Sequence, residues 1–227
     1  MTGYSNYISG VDIYQKLKED ILTLRLKPGQ MISENEVANI YNVSRTPIKN
    51  AFLRLKGENY IEIVPQKGTF VTLLDMGYIK DAIYMRAVLE MDTFDDIIEK
   101  GLSEKVAAKM ETILEQQLAL VESAAINAIS FYEVDNSFHL SLFEAVGRSQ
   151  MWDIIQYCQV FYTRFRMLDA VATARCTELY REHCQILQAF KAGDRDQLKA
   201  AVFGHLHSAL PILADRIESE FKEYFVH

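Results

Sequence analysis

The 227-residue chain is 49% hydrophobic and has a formal net charge of −7, which permits a sizeable buried core and excludes a uniformly basic nucleic-acid coat. No apolar run is long enough to span a bilayer, and the opening MTGYSNYISG lacks the basic-then-apolar pattern of an export leader, so a cytoplasmic protein without a membrane partner is expected. Cys158, Cys176 and Cys184 have neither CxxC spacing nor a disulfide framework, which suits a reducing compartment.

The charge is unevenly spread. Residues 1–74 hold nine Lys or Arg against seven Asp or Glu, a balance of +2, leaving 15 against 24, or −9, for the rest. In chain order, Ile13, Leu17, Ile21 and Leu24 set the apolar face of a helix over about 11–24 that stops before Lys27-Pro28-Gly29. A second helix opens at Ser33, with Glu36 completing a capping box and Val37 and Ile40 turned inward. After the turn Tyr41-Asn42-Val43 a third opens at Ser44, with Pro47 tolerated in its first turn and Ile48, Phe52 and Leu55 as its buried face. IEIVPQKGTFVTL, residues 61–73, is the only convincing strand material and predicts a hairpin about Pro-Gln-Lys-Gly. This order is that of a winged helix-turn-helix, with a domain boundary near Asp75 that divides the chain into 1–74 and 75–227.

In a winged helix-turn-helix the third helix leads into the DNA major groove with its N-terminus. SRTPIKN places Ser44, Arg45, Thr46 and Lys49 there: the hydroxyls and free amides suit phosphate, and Arg45 suits bidentate guanine contact. Lys67 and Gly68 form the wing tip, where lysine supplies charge and glycine permits close approach. The stretch NVSRTPIKNAFLRLKGENYIEIVPQKGTFV resembles the recognition helix and wing of the GntR family of bacterial transcription regulators, whose wording is close to VSRTPVREALRRLEAEGLV followed by a P-x-x-G wing. The resemblance covers residues 9–73 and implies DNA contacts at Arg45, Thr46, Lys49 and Gly68. Lys49, Asn50 and Asn59 stand where the family usually has Arg, Glu and Gly; lysine keeps the charge but loses the planar fork.

From Asp75 the pattern predicts an all-α antiparallel bundle of six segments, about 76–100, 103–124, 128–146, 149–169, 173–191 and 195–224, with Gly101, Gly147 and Gly193 at three breaks and Asp194 capping the last. Asp135 and His139 are four apart and share a helix face. His183 and His205 flank the break near Gly193 at nearly equal distances, both about 14 Å from the turn at about 1.5 Å per residue, and both belong to apolar faces. The His205 face includes Leu198, Val202, Ala209 and Ile212, whereas His207 is rotated to the periphery. Burying an aspartate and three histidines is costly unless something satisfies them.

YMRAVLE (84–90), DNSFH (135–139), the Glu-His at 182–183 and His205 resemble the ligand-binding domain of the FadR-like branch of GntR regulators, called FCD, and the direct run from hairpin to helix is similar to its VanR-type six-helix subgroup. In metal-binding members the matching positions hold a divalent metal, which implies Asp135, His139, His183 and His205 as ligands here. Zinc, nickel, iron and manganese all suit that donor set. Arg148 stands where an Asn is common. The resemblance also implies that Arg86 receives a carboxylate from a small organic acid or sugar acid; the local alternative is an intrahelical pair with Glu90. Arg164 or Arg166 can supply a second contact, with Arg164 preferred. Together these expectations describe a homodimeric, ligand-responsive DNA-binding regulator, a repressor acting on double-stranded operator DNA. The competing classes are a metal-dependent enzyme acting on a small organic acid and a metal-free structural bundle.

Overall fold

The computed structural model describes residues 10–169 and 173–226; apart from Gly10, the opening MTGYSNYISG lies outside them. Two compact units emerge. One contains the chain up to Met76 together with the residues from Phe221 onward, and the other runs from Gly77 to Glu220.

The first unit has the order α1 (Gly10–Leu22), β1 (Met31–Ile32), α2 (Glu34–Tyr41), α3 (Arg45–Gly57), β2 (Ile61–Val64) and β3 (Gly68–Val71). Ile13, Leu17 and Ile21 of α1 are buried, as are Ile48, Phe52 and Leu55 of α3, against which α1 packs. The Ser33 hydroxyl accepts from the Glu36 amide at 3.1 Å and fixes the start of α2, while Asn42 ends that helix in the left-handed region at φ 51°. Ile40, expected inward, is instead 75% exposed. The buried stripe of α2 is centred between Val37 and Ala38, which leaves Ile40 roughly 110° away around the helix.

The hairpin pairs Val64 with Gly68 across Pro65, Gln66 and Lys67. Gly68 has φ +131°, a conformation that side chains strongly disfavour. The two-residue β1, which the sequence reading omitted, adds to β3 through Met31↔Phe70 and Ile32↔Thr69, giving the order β1-β3-β2.

The end of the chain completes this unit. Leu74 and Phe225 form a parallel bridge in which the Leu74 amide donates to the Tyr224 carbonyl at 2.8 Å and the Val226 amide to the Leu74 carbonyl at 2.9 Å. Phe225 is buried. A division at Leu74/Asp75 that gives the whole remainder to one helical domain therefore misplaces residues 221–226.

The second unit contains α4 (Met76–Glu99, from Gly77), α5 (Ser103–Val121), α6 (Ala128–Ala145), α7 (Ser149–Cys158), α8 (Val160–Asp169), α9 (Thr173–Ala192), α10 (Arg195–His207) and α11 (Ala209–Ser219). Two of the six expected segments are broken, at Gln159 and Ser208, and the last ends at Ser219 rather than near 224. The Ser208 break has a local cause: Pro211 lacks the amide hydrogen that would reach the His207 carbonyl in a continuous helix. The phase then resets, so Ile212, expected inward, is 43% exposed. Asn127 caps α6 and Asp194 caps α10, the latter accepting from the Gln197 amide at 2.9 Å. Because α5 packs on both α6 and α9, and α9 on α10, the chemistry-bearing faces of α6, α9 and α10 converge. Among the described residues no helix is long and apolar enough to cross a membrane.

Candidate metal centre and nucleic-acid interface

Asp135 and His139 emerge from one face of α6, His183 from α9 and His205 from α10, and all four are buried. One donor atom from each lies within 4.8 Å of the others. The His205 Nε2 is 3.2 Å from His183 Nε2 and 3.3 Å from His139 Nε2, and His183 Nε2 is 3.6 Å from Asp135 Oδ1. Phe138 stacks on His183 with ring centroids 4.1 Å apart, and Trp152 lies parallel to His139, so aromatic walls hold two of the rings.

The other nitrogen of each ring is already engaged. His139 Nδ1 lies 2.8 Å from Glu90 Oε2, His183 Nδ1 2.9 Å from Gln117 Oε1, and His205 Nδ1 2.8 Å from Glu182 Oε2. An ionised carboxylate can only accept, so the Nδ1 facing it carries the proton and the Nε2 lone pair points inward. Burial pushes the His139 pKa down to about 4, against the opposing pull of Glu90, and burial reinforced by His205 holds His183 well below its ordinary value. Both rings are therefore neutral at pH 7.

The Nε2 atoms of all three rings converge on one space. The fit to a metal is good on two counts: Asp135 Oδ1 is buried without a hydrogen-bond partner and faces the same space, and the donor atoms of all four residues lie within 4.8 Å of one another, close enough to share one ion. Asp135 Oδ2 is anchored by Arg166 Nη2 at 2.7 Å. Burial would raise the Asp135 pKa, but the Arg166 guanidinium outweighs it and holds the carboxyl well below the usual range. Each of the four donors thus has a supporting partner, the arrangement that orients ligands and fixes tautomers in metal sites.

Arg86 is fully buried on α4. Its Nε donates to Glu90 Oε1 at 2.9 Å, so the intrahelical pair anticipated from the sequence forms. Burial would raise the Glu90 pKa, but His139 and Arg86 bring it down to about 2; since His139 is neutral at pH 7, Arg86 is the charge that keeps Glu90 ionised there. Arg86 Nη2 is 2.9 Å from the same oxygen without donating to it, and neither Nη1 nor Nη2 has a hydrogen-bond partner. The guanidinium lies 5.3 Å from the Trp152 ring centroid and 5.6 Å from that of Tyr162.

A small cavity of about 10 Å³ adjoins His205, lined by Tyr132, Tyr162, Arg166, Arg175, Leu179 and Ala209, and room for about one water. Arg164, the preferred second contact, is buried but does not line it; Arg166 does. The sequence reading missed Gln117 and Arg175, and gave Glu182 no role of its own. Gln117 had a signal, a polar residue continuing the buried stripe Met110, Ile113 and Leu114.

In the first unit Ser44, Arg45, Thr46 and Lys49 are exposed at the N-terminal end of α3, and Ser44 makes no side-chain cap, leaving its hydroxyl available. Lys67 and Gly68 are exposed at the wing tip. The free amides and dipole of α3 point toward the same end.

Residues 10–71 match the family described as bacterial regulatory proteins, gntR family, and residues 81–208 match the FCD domain. The chain is 28% identical over 194 residues to the HTH-type transcriptional repressor RspR of Escherichia coli, covering 86% of this chain and 84% of that one. It is 25% identical over 217 residues to the gluconate operon transcriptional repressor of Bacillus subtilis, covering 92% and 85%. The solved structure of E. coli McbR/YncC shares the fold with a TM-score of 0.65, 20% identity, and coverage of 91% of this chain and 97% of that one. These relatives are regulators rather than enzymes, and the FCD domain is a metal-binding type to which the Asp-His cluster conforms. The chain belongs to the GntR family: it is a transcriptional regulator with a winged helix-turn-helix DNA-binding unit and an FCD ligand-binding domain.

Proposed function

We propose that this regulator is a cytoplasmic homodimeric repressor that binds double-stranded operator DNA and releases it in response to a small organic acid or sugar acid held at a metal. Asp135, His139, His183 and His205 hold a divalent transition metal, of which zinc, nickel, iron and manganese all suit the donors. The observation that carries this reading is the convergence of three Nε2 atoms on a partnerless buried carboxylate oxygen. When bound, the metal supplies a Lewis-acidic point for an effector oxygen. Arg86 supports the other end, because its two Nη atoms are buried without a hydrogen-bond partner and a guanidinium fork suits a carboxylate.

Ser44, Thr46, Lys49, Lys67 and Gly68 engage the DNA backbone, and Arg45 reads base edges. Repression is supported by the similarity to RspR and to the gluconate operon regulator, both repressors. A two-fold dimer presents two recognition helices to two half-sites. The cavity beside His205 has room for about one water, so an acid can enter only by displacing side chains. That displacement gives the liganded protein a conformation of its own, the requirement for coupling to DNA affinity.

The test is an operator titration with metal-loaded protein and a panel of small acids. A weakening of roughly 5- to 150-fold with one acid, absent in R86K, is expected. Unchanged operator affinity with every acid would overturn the sensor reading while leaving DNA binding intact.

A further inference from the structure

Two side-chain chains approach the metal ligands with the same grammar. Arg86, Glu90 and His139 form one; Arg175, Glu182 and His205 form the other. They differ at the arginine. Arg175 Nη1 donates to Glu182 Oε1 at 2.9 Å and lies 3.2 Å from Glu178 Oε2, and its Nη2 donates to Ser208 Oγ. Glu182 is therefore divided: Oε1 belongs to Arg175, while Oε2 accepts from His205 Nδ1 at 2.8 Å with Ser208 Oγ at 3.3 Å. Arg175, only 4% exposed, also lines the cavity, as does His205 itself.

We propose that Glu182 is a positioning residue that sets the donor strength of His205, and that Arg175 sets the strength of Glu182, so that the cavity wall is wired to the metal through the Arg175–Glu182–His205 chain. A carboxylate accepting from Nδ1–H makes the opposite nitrogen more basic and fixes its direction. A guanidinium on the other carboxylate oxygen draws off part of that charge. Loss of the guanidinium frees Glu182 to pull harder on Nδ1–H, and His205 then binds a cation more tightly. The Ser208 break, which brings the start of α11 against this chain, gives Arg175 its second anchor.

The inference rests on the metal reading, and zinc alone tests it, by competition against a chromogenic chelator with E182Q, R175M and the double variant of the full chain. E182Q lowers zinc affinity about 10- to 100-fold, the usual range for an outer partner of a ligand. R175M raises it about 5-fold or more, the lower end of ordinary coupling, and in the E182Q background the same change has no effect. A through-space action of the Arg175 charge would instead persist in that background, because independent effects add. The visible band of the cobalt(II)-substituted protein shifts in E182Q, a readout that a purely structural role leaves unmoved. If either variant loses helical circular dichroism, E182D and R175K complete the same cycle with smaller effects of the same sign. Wild-type zinc affinity retained in E182Q, or equal effects of R175M in both backgrounds, overturns the chain of action. Failure of the wild type to take up zinc overturns the metal reading itself.

Discussion

The Nε2 atoms of His183 and His205 face each other at 3.2 Å while the opposite nitrogen of each ring is bonded elsewhere, to Gln117 and Glu182. Neither ring can turn to relieve the approach without breaking a buried hydrogen bond, worth about 0.5–1.5 kcal/mol net and more when its partner is left stranded. The protein thus holds donor atoms of both rings facing one point, the arrangement a bound cation would use.

Metal removal should loosen the second unit. At zinc 100-fold above its dissociation constant the native state gains about 2.7 kcal/mol, a rise of roughly 5–10 °C in melting temperature for a domain of this size. Calorimetry of chelator-stripped protein with and without zinc checks this, and H183A should abolish the rise.

Arg86 has a structural and a recognition role, and two substitutions separate them. R86M strands the buried Glu90 carboxylate and should destabilise the second unit by about 3–5 kcal/mol in urea unfolding, the cost of breaking a buried pair on one side. R86K keeps the charge without the fork, so it should fold and bind zinc but lose its response to acid.

The recognition helix should behave independently of the metal. R45A is expected to weaken operator binding by about 1–3 kcal/mol and to relax discrimination at one base pair. K67A should weaken all sequences alike and reduce the salt dependence by about one counterion. Fluorescence anisotropy across a salt series distinguishes them, and zinc affinity should be unchanged in both.

Phe225 fills the first unit from the far end of the chain. F225A should cost the winged unit about 3–5 kcal/mol, as for other buried Phe-to-Ala changes, and speed hydrogen exchange at the Leu74 and Val71 amides. Unchanged exchange there would show that the tail contributes nothing.

Alkali should destabilise the first unit. The Tyr41 hydroxyl donates to Asp20 Oδ2 at 3.1 Å, and burial together with Asp20 raises its pKa to about 12 from the ordinary 10. The folded state then holds a proton that the unfolded state releases, so this stability is complete below pH 10 and is lost as pH rises toward 12. Y41F should flatten that part of the stability profile in denaturant titrations at successive pH values.

Local grammar made much of the molecule legible. Ser33 and Asp194 announced helix starts that the structure reproduces as side-chain caps, and the apolar spacing of Ile48, Phe52 and Leu55 marked a buried face. The convergence of Asp135, His139, His183 and His205 followed from helical periodicity and from equal distances to one turn. What escaped depends on partners distant in sequence. Gln117 and His183 are 66 residues apart, and Glu182 and His205 23. Arg164 and Arg166 are both buried, so composition of the face could not separate them, and the bond from Arg166 to Asp135 joins residues 31 apart in sequence. The strand β1 is too short to carry a pattern, and the pairing of Leu74 with Phe225 has no local signature.

The most direct test of the metal-centred account is X-ray absorption at the zinc edge of the full chain reconstituted with one equivalent of zinc. The account predicts a first shell of three imidazole nitrogens and at least one oxygen at about 2.0–2.2 Å, with one imidazole lost in H205A. A shell containing sulfur from the free cysteines, or one unchanged by H205A, would contradict it.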